Sequence, residues 1–160
     1  MIEVIPYEKK YIEDVPKLIL PIQQNEFNIS ITLEDQPDLL EIPDFYQKGL
    51  GNFWVALYRS EVVGTISLID IGNGLCALRK MFVKKEFRGS EYSVAKKLLE
   101  KMFDWCKKKG VKEIYLGTTS KYHAAHIFYD KNGFLDIDKN NLPESFPVME
   151  VDSKFYKYSI

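Results

Sequence analysis

From Asn52 to Val83 the chain is three apolar stretches, FWVALY, EVVGTISLID and LCALRKMFV, separated only by Arg59 and Ser60 and then by Ile71 and the turn Gly72, Asn73 and Gly74. Connections this short leave a strand no room to cross over. The three stretches must therefore pair as antiparallel hairpins, and the centre of the fold is a meander. Met1 to Pro6, short and β-branched, reads as a first strand ahead of it.

Beyond Val83 the pairing rule changes. Val94, Leu98, Met102 and Cys106 form one row at i, i+4 spacing and Ala95, Leu99 and Phe103 a second beside it, so the segment is a helix with a broad apolar face. Gly110, after three lysines, ends it. KEIYLGT, Lys112 to Thr118, is then a strand reached through a helix, and such a crossover gives parallel pairing. A second helix runs from Tyr122 to Lys131 and stops at Asn132 and Gly133; Phe134 opens another strand, and Lys154 to Ile160 reads as the last. The expected fold is α/β (α+β): a mixed sheet, antiparallel first and parallel later, flanked by helices. Asp138 to Asp152, with Pro143 and Pro147, has no regular pattern and reads as a lid, a binding loop or a long hairpin connection.

The segment before Asn52 is broken by prolines. A helix is expected from near Asp14, capped by that side chain, with Pro16 in its first turn and a break or kink at Pro21 before Phe27. A second start lies at Asp35 before Pro37, with an interruption at Pro43 and an end at Gly49 and Gly51. These two broken helices are either substrate walls or ordinary packing.

A length of 160 residues suits one domain, 1–160, whose core needs no metal or disulfide staple. The formal charge of −1 lacks the basic excess that nucleic-acid binders use to meet phosphates, so Lys96, Lys97, Lys101, Lys107, Lys108 and Lys109 read as a solvated helix face. Cys76 and Cys106 have no partner motif, which points to reduced thiols rather than a zinc site or a disulfide. MIEVIPYEKK carries charges where an export signal needs an apolar run, and no apolar stretch approaches the about 18 residues of a membrane span. The expectation is a cytoplasmic protein with no nucleic-acid or membrane partner; a homodimer is left open.

Two stretches carry chemistry. Val83 to Leu99 runs from the end of a strand through a polar turn into a helix, which aims unpaired backbone N–H groups and the positive end of a helix dipole at one point. Arg88 adds a fixed charge there and Gly89 a free backbone, so the stretch is either a phosphate cradle or a structural turn. The second stretch is AHIFYDKNGF, Ala125 to Phe134. Its Ala125, its Tyr129 four residues on, and its Gly133-Phe134 pair resemble the C-terminal motif of the GNAT acyltransferases. With VKKEFRG at the turn and the order of elements, the resemblance covers Glu3 to Ile160 and is strongest from Leu78 to Phe134.

That resemblance implies a strongly twisted, largely antiparallel sheet whose fourth and fifth strands splay to admit acyl-CoA. It implies that the backbone of Met81, Phe82 and Val83 receives the pantetheine arm and polarises the thioester. It also implies that the turn Arg88, Gly89, Ser90, Glu91, Tyr92 and Ser93 binds the pyrophosphate. The turn departs from the family's pattern at Glu91 and Ser93, where small residues are usual, and Tyr122 stands where the family often has asparagine. The implied reaction is transfer of an acetyl group from acetyl-CoA to a small-molecule or peptide amine, directly within a ternary complex and without a metal. The competing reading is a non-catalytic CoA-sensing or protein-interaction module on the same fold.

Acyl transfer needs a neutral amine, a donor for the oxyanion and a proton for the leaving thiolate. A tyrosine, with a reference pKa of about 10 against about 8.5 for a thiol, can supply that proton. Tyr129 is the expected general acid, and His126, sharing its helical face, is expected to line the cleft. For the base the sequence offers Glu34, Asp35, Asp38, Glu41 and Asp70 without choosing among them.

Overall fold

A computed structural model describes residues 1–160 and shows a single seven-stranded sheet. The meander is as expected: β1 (Ile2–Pro6), β2 (Asn52–Tyr58), β3 (Glu61–Gly72) and β4 (Leu75–Val83) pair antiparallel in turn. Arg59 and Ser60 both take positive φ, +50° and +68°, which gives the two-residue hairpin the twist of its strands. The expected helix is α3 (Val94–Lys109), ended by Gly110 at φ +76°. It delivers the chain to β5 (Glu113–Thr118), which pairs with β4 in parallel. Then come α4 (His123–Lys131), β6 (Leu135–Ile137) and β7 (Lys154–Ser159), with β7 inserted antiparallel between β5 and β6. No helix is long and apolar enough to cross a membrane.

The proline-rich segment differs in detail from the sequence reading. Asp14 is the first residue of α1 (Asp14–Pro21) rather than its cap, and no side chain caps that helix. Pro21 closes α1, and the chain continues as a wide π turn over Ile22–Glu26 rather than stopping. Pro43 stands in the first turn of the short α2 (Ile42–Phe45), where its missing N–H is one of those with no intrahelical partner. Asp35 sits just before this region in a reciprocal turn with Thr32, whose N–H it accepts and whose hydroxyl accepts its own N–H.

Helices cover both faces of the sheet. Val94, Leu98, Leu99, Met102 and Cys106 of α3, with Tyr129 of α4, pack on Trp54, Ile66, Leu68 and Leu116. Val15, Leu18, Ile19 and Ile22, with Leu39, Ile42 and Tyr46, pack on Phe53, Val55 and Leu57 from the opposite side. A smaller cluster places Phe146, from the irregular 138–152 segment, against Ala77, Tyr115 and Phe155.

Two irregularities in β4 shape everything nearby. Its pairing with β5 covers only Leu75↔Glu113, Cys76↔Ile114 and Ala77↔Tyr115, after which the strands have no further partners in each other. On the β3 side the register slips between Thr65↔Phe82 and Ser67↔Arg79, so Lys80 and Met81 together oppose Ile66 in a β-bulge. Lys80 is held there at φ +53°, a conformation uncommon for a side-chain-bearing residue. The hydroxyls of Thr65 and Ser67 donate to the carbonyls of Lys80 and Arg79, each at 2.7 Å, and so pin the bulge.

Because Leu98 is fully buried between α3 and the sheet, Leu98→Ala should cost about 2–5 kcal/mol of stability. In urea unfolding the midpoint should fall with the slope unchanged.

Candidate active site

Where β4 and β5 part, a cavity of about 950 Å³ opens, near the top of the usual size for a ligand site. Leu78 to Val83 form one wall and Leu116 to Thr118 the other. The turn after β4 and the start of α3 close one end and the Phe146 to Asp152 segment the other, while Ile22, Gln23 and Phe27 add to the lining. The β5-facing edge of β4 beyond Ala77 thus offers its backbone groups to the cavity rather than to a strand.

Of the residues singled out from the sequence, Met81, Phe82, Val83, Arg88, Gly89, Ser90, Ser93 and Tyr129 line this cavity. Gly89 has φ +95°, which glycine adopts without strain, and a Cβ there would meet nothing. Ser93 also takes a left-handed conformation, φ +51°, and its hydroxyl donates back to the Ser90 carbonyl at 3.0 Å. Arg88 is already committed: its guanidinium makes a two-pronged ion pair with Glu26 and its Nε donates to the Val83 carbonyl at 2.9 Å. Arg88 therefore clamps the turn to the π turn across the cavity mouth. The pair also holds the Glu26 carboxyl below its ordinary range through the Arg88 hydrogen bond.

Glu91, Tyr92 and His126 lie outside the cavity lining. Glu91 is exposed, so its charge does not fill the turn. The Tyr92 ring packs with Phe87 and Tyr58, at centroid distances of 4.9 and 5.4 Å. His126 turns away because its Nε2 lies 3.0 Å from the Thr119 carbonyl, in the loop just before α4; His123 lines the cavity instead.

Tyr129 is buried beneath β4, and its hydroxyl donates to the Met81 sulfur at 3.7 Å. Sulfur is a weak acceptor, so this proton is available to a better one. Burial, with Tyr156 beside it, holds the Tyr129 hydroxyl well above the ordinary tyrosine range and hence protonated. Both cysteines are fully buried away from the cavity, and burial pushes each thiol up to about 12.

None of the five carboxylates named from the sequence lines the cavity. Asp70 accepts the N–H groups of Leu50 and Gly72, and Asp38 is buried, accepting the Tyr46 hydroxyl at 2.6 Å. The carboxylate that does line it is Asp152, on the irregular segment, where burial raises its pKa against the opposing hydrogen bond from the Met149 N–H and the charge of Arg79. Nothing in the sequence singles out Asp152. Arg79 and Lys80 had a visible signal: two adjacent charges inside an otherwise apolar strand.

Lys80 ends in a buried polar network. Its ammonium donates to Gln36, which exchanges side-chain hydrogen bonds with Gln23 at 2.9 and 3.0 Å, and Asp38 lies 3.7 Å away. Burial lowers the Lys80 pKa to about 8, against the pull of Asp38.

Comparison with known proteins agrees with this geometry. The model of the Acetyltransferase (GNAT) family matches residues 18–134. A GNAT-family acetyltransferase from Staphylococcus aureus Mu50 superposes with a TM-score of 0.95 at 44% identity, covering 99% of both chains. The PaiA N-acetyltransferase of Thermoplasma acidophilum, crystallised in complex with coenzyme A, has a TM-score of 0.74 at 19% identity over 100% of this chain and 99% of its own, a likeness of fold. Mouse N-acetylaspartate synthetase is 32% identical over 99 residues, 61% of this chain; the match spans only 32% of that relative's length.

The Lys80 network sets a pH signature. The folded protein releases the Lys80 proton near pH 8, whereas the unfolded chain keeps it to its ordinary 10.5. Between those values the unfolded state binds more protons, so stability rises with pH. Wild type should therefore gain stability relative to Lys80→Met between about pH 7 and about pH 9.5 in paired urea titrations.

Proposed function

Since the chain belongs to the acetyltransferase (GNAT) family and is an acyltransferase, we propose that it transfers the acetyl group of acetyl-CoA directly to a small-molecule amine, with Tyr129 as the general acid. The observation that carries this reading is the open β4 edge of Met81 to Val83 with the Tyr129 hydroxyl directly beside it, 3.7 Å from the Met81 sulfur. An extended pantetheine arm pairs with such an edge as a missing strand would. The start of α3 and the positive-φ turn at Gly89 and Ser93 then present N–H groups to its pyrophosphate. That the Thermoplasma relative was crystallised with coenzyme A supports this donor. The name of the mouse relative, N-acetylaspartate synthetase, supports a small acetylated amine as product.

The chemistry balances within the cavity. A primary ammonium loses two protons on becoming an amide, and the leaving thiolate gains one. Asp152 takes the first proton; the amine lone pair forms the C–N bond, and backbone N–H groups of β4 meet the oxyanion. As the C–S bond breaks, Tyr129 protonates the thiolate and is restored by the second amine proton. The inert, distant cysteines support direct transfer over a covalent acyl-enzyme route.

Tyr129→Phe keeps the ring that packs on Phe134 and Tyr156 and removes the proton donor. Its kcat should fall by about 10²–10⁴, while acetyl-CoA binding measured by calorimetry changes by less than about twofold. Equal turnover in the two proteins removes Tyr129 from the acid role.

A further inference from the structure

The end of the cavity away from α3 holds Asp152, the proposed base, and opposite it a charge that neither donor binding nor proton transfer uses. The last β4–β5 pair is Ala77↔Tyr115. Two residues further along each strand, Arg79 and Gly117 stand on opposite lips of the opening, and strand alternation puts both on the face of Ala77 and Tyr115. On the Gly117 lip lies Asp152: a Cβ at Gly117 would stand 2.5 Å from its Oδ2, so the bare glycine is what seats the carboxylate there.

On the other lip is Arg79, partly buried in the cavity wall. Unlike Arg88, it belongs to no ion pair in the molecule, and its guanidinium donates no hydrogen bond to a protein acceptor. A guanidinium in a cavity wall with its donors unspent is built for a planar anion. Its neighbour Lys80 adds positive potential from the same bulge. Of the cations around the cavity, Arg88 is paired with Glu26 and Lys80 lies beside Asp38, which leaves Arg79, Lys96, Lys121 and Lys131 against the single lining carboxylate of Asp152. A polycationic acceptor meets repulsion at this end, and a dianionic phosphate on Arg79 would face Asp152. A singly charged carboxylate on the same small molecule as the amine satisfies both lips.

We propose that the acceptor is a compact amine bearing a carboxylate, of the amino-acid class, whose carboxylate is bound two-pronged by Arg79 while its ammonium faces Asp152 across the β4–β5 opening. This rests on the transfer reading above and adds the acceptor class and the residue that selects it. Arg79 is a specificity-determining residue that does not touch the reacting carbonyl.

The test measures thiol release from acetyl-CoA by the full chain with the free amino acids, each paired with its carboxamide, and with spermidine and a short peptide bearing a free N-terminus. At least one amino acid should exceed its own amide in kcat/KM by about 100-fold. Arg79→Gln should raise KM for that acid about tenfold or more, with the KM for acetyl-CoA little changed; because Arg79 also bears on the Asp152 carboxyl, acid and amide should share any change in kcat, and only the acid should lose in KM. Arg79→Lys should recover part of the loss. Turnover of amides, spermidine or the peptide in preference to every acid overturns the acceptor class while leaving the transferase reading intact. So does an Arg79→Gln protein that keeps the wild-type KM for the acid. Acetyl-CoA binding in calorimetry with no acid accepted also overturns it, and absence of acetyl-CoA binding takes down both readings.

Discussion

The structure depends on the parting of β4 from β5. Up to Ala77↔Tyr115 the two strands share a ladder, as parallel strands joined through a helix should. Past that point β4 stays tied to β3 through Gly64↔Val83, and β5 stays tied to β7 through Thr118↔Lys154. Each strand thus has one secure neighbour, and neither is free to close the gap. The opening costs backbone hydrogen bonds along one edge of β4, and those same groups are what an extended ligand can use. Sheet architecture and the proposed donor binding are therefore one property of the fold.

The bulge at Lys80 and the charged network behind it set the character of the opening. Thr65 and Ser67 hold the carbonyls of Lys80 and Arg79, while Gln36 holds the lysine ammonium from the face covered by α1 and α2. The proline-rich segment thereby does more than pack: it supplies the π turn whose Glu26 grips Arg88, and the Gln23–Gln36 pair that anchors Lys80. Both ends of the cleft are tied to the same short stretch of chain. With Arg88 and Lys80 paired, Arg79, Lys96, Lys121 and Lys131 still leave the cavity cationic in a chain whose formal charge is −1. A cavity of that sign favours anionic ligands whatever the protein's overall balance.

Much of the fold could be read from the residues because its determinants are local. Two- and three-residue turns force hairpins, and α3 declares itself through an apolar row and a terminal glycine. That Tyr129 and Met81 to Val83 line one cavity agrees with the resemblance that the Ala125 to Phe134 motif and the order of elements carry. What could not be read depends on contacts between distant segments. His126 and Tyr129 share a helical face, yet the Thr119 carbonyl captures the imidazole, and sequence spacing says nothing of that. Arg88 looked like a free cation until Glu26, 62 residues away, came beside it. Asp152 carries no local signal, since its place is made by the absence of a side chain at Gly117 on another strand. Asp38, a plausible base on the page, is instead folded inward against Tyr46 and Lys80.

The most direct test of the central claim, that the unpaired β4 edge receives the acyl donor, is amide hydrogen exchange with and without acetyl-CoA. The account predicts slowed exchange at Met81 to Val83, in the turn from Gly89 to Ser93 and in the first turn of α3, with β1 and β2 unchanged. Saturating acetyl-CoA that protects some other surface, or that leaves the β4 edge exchanging at its ligand-free rate, would contradict it.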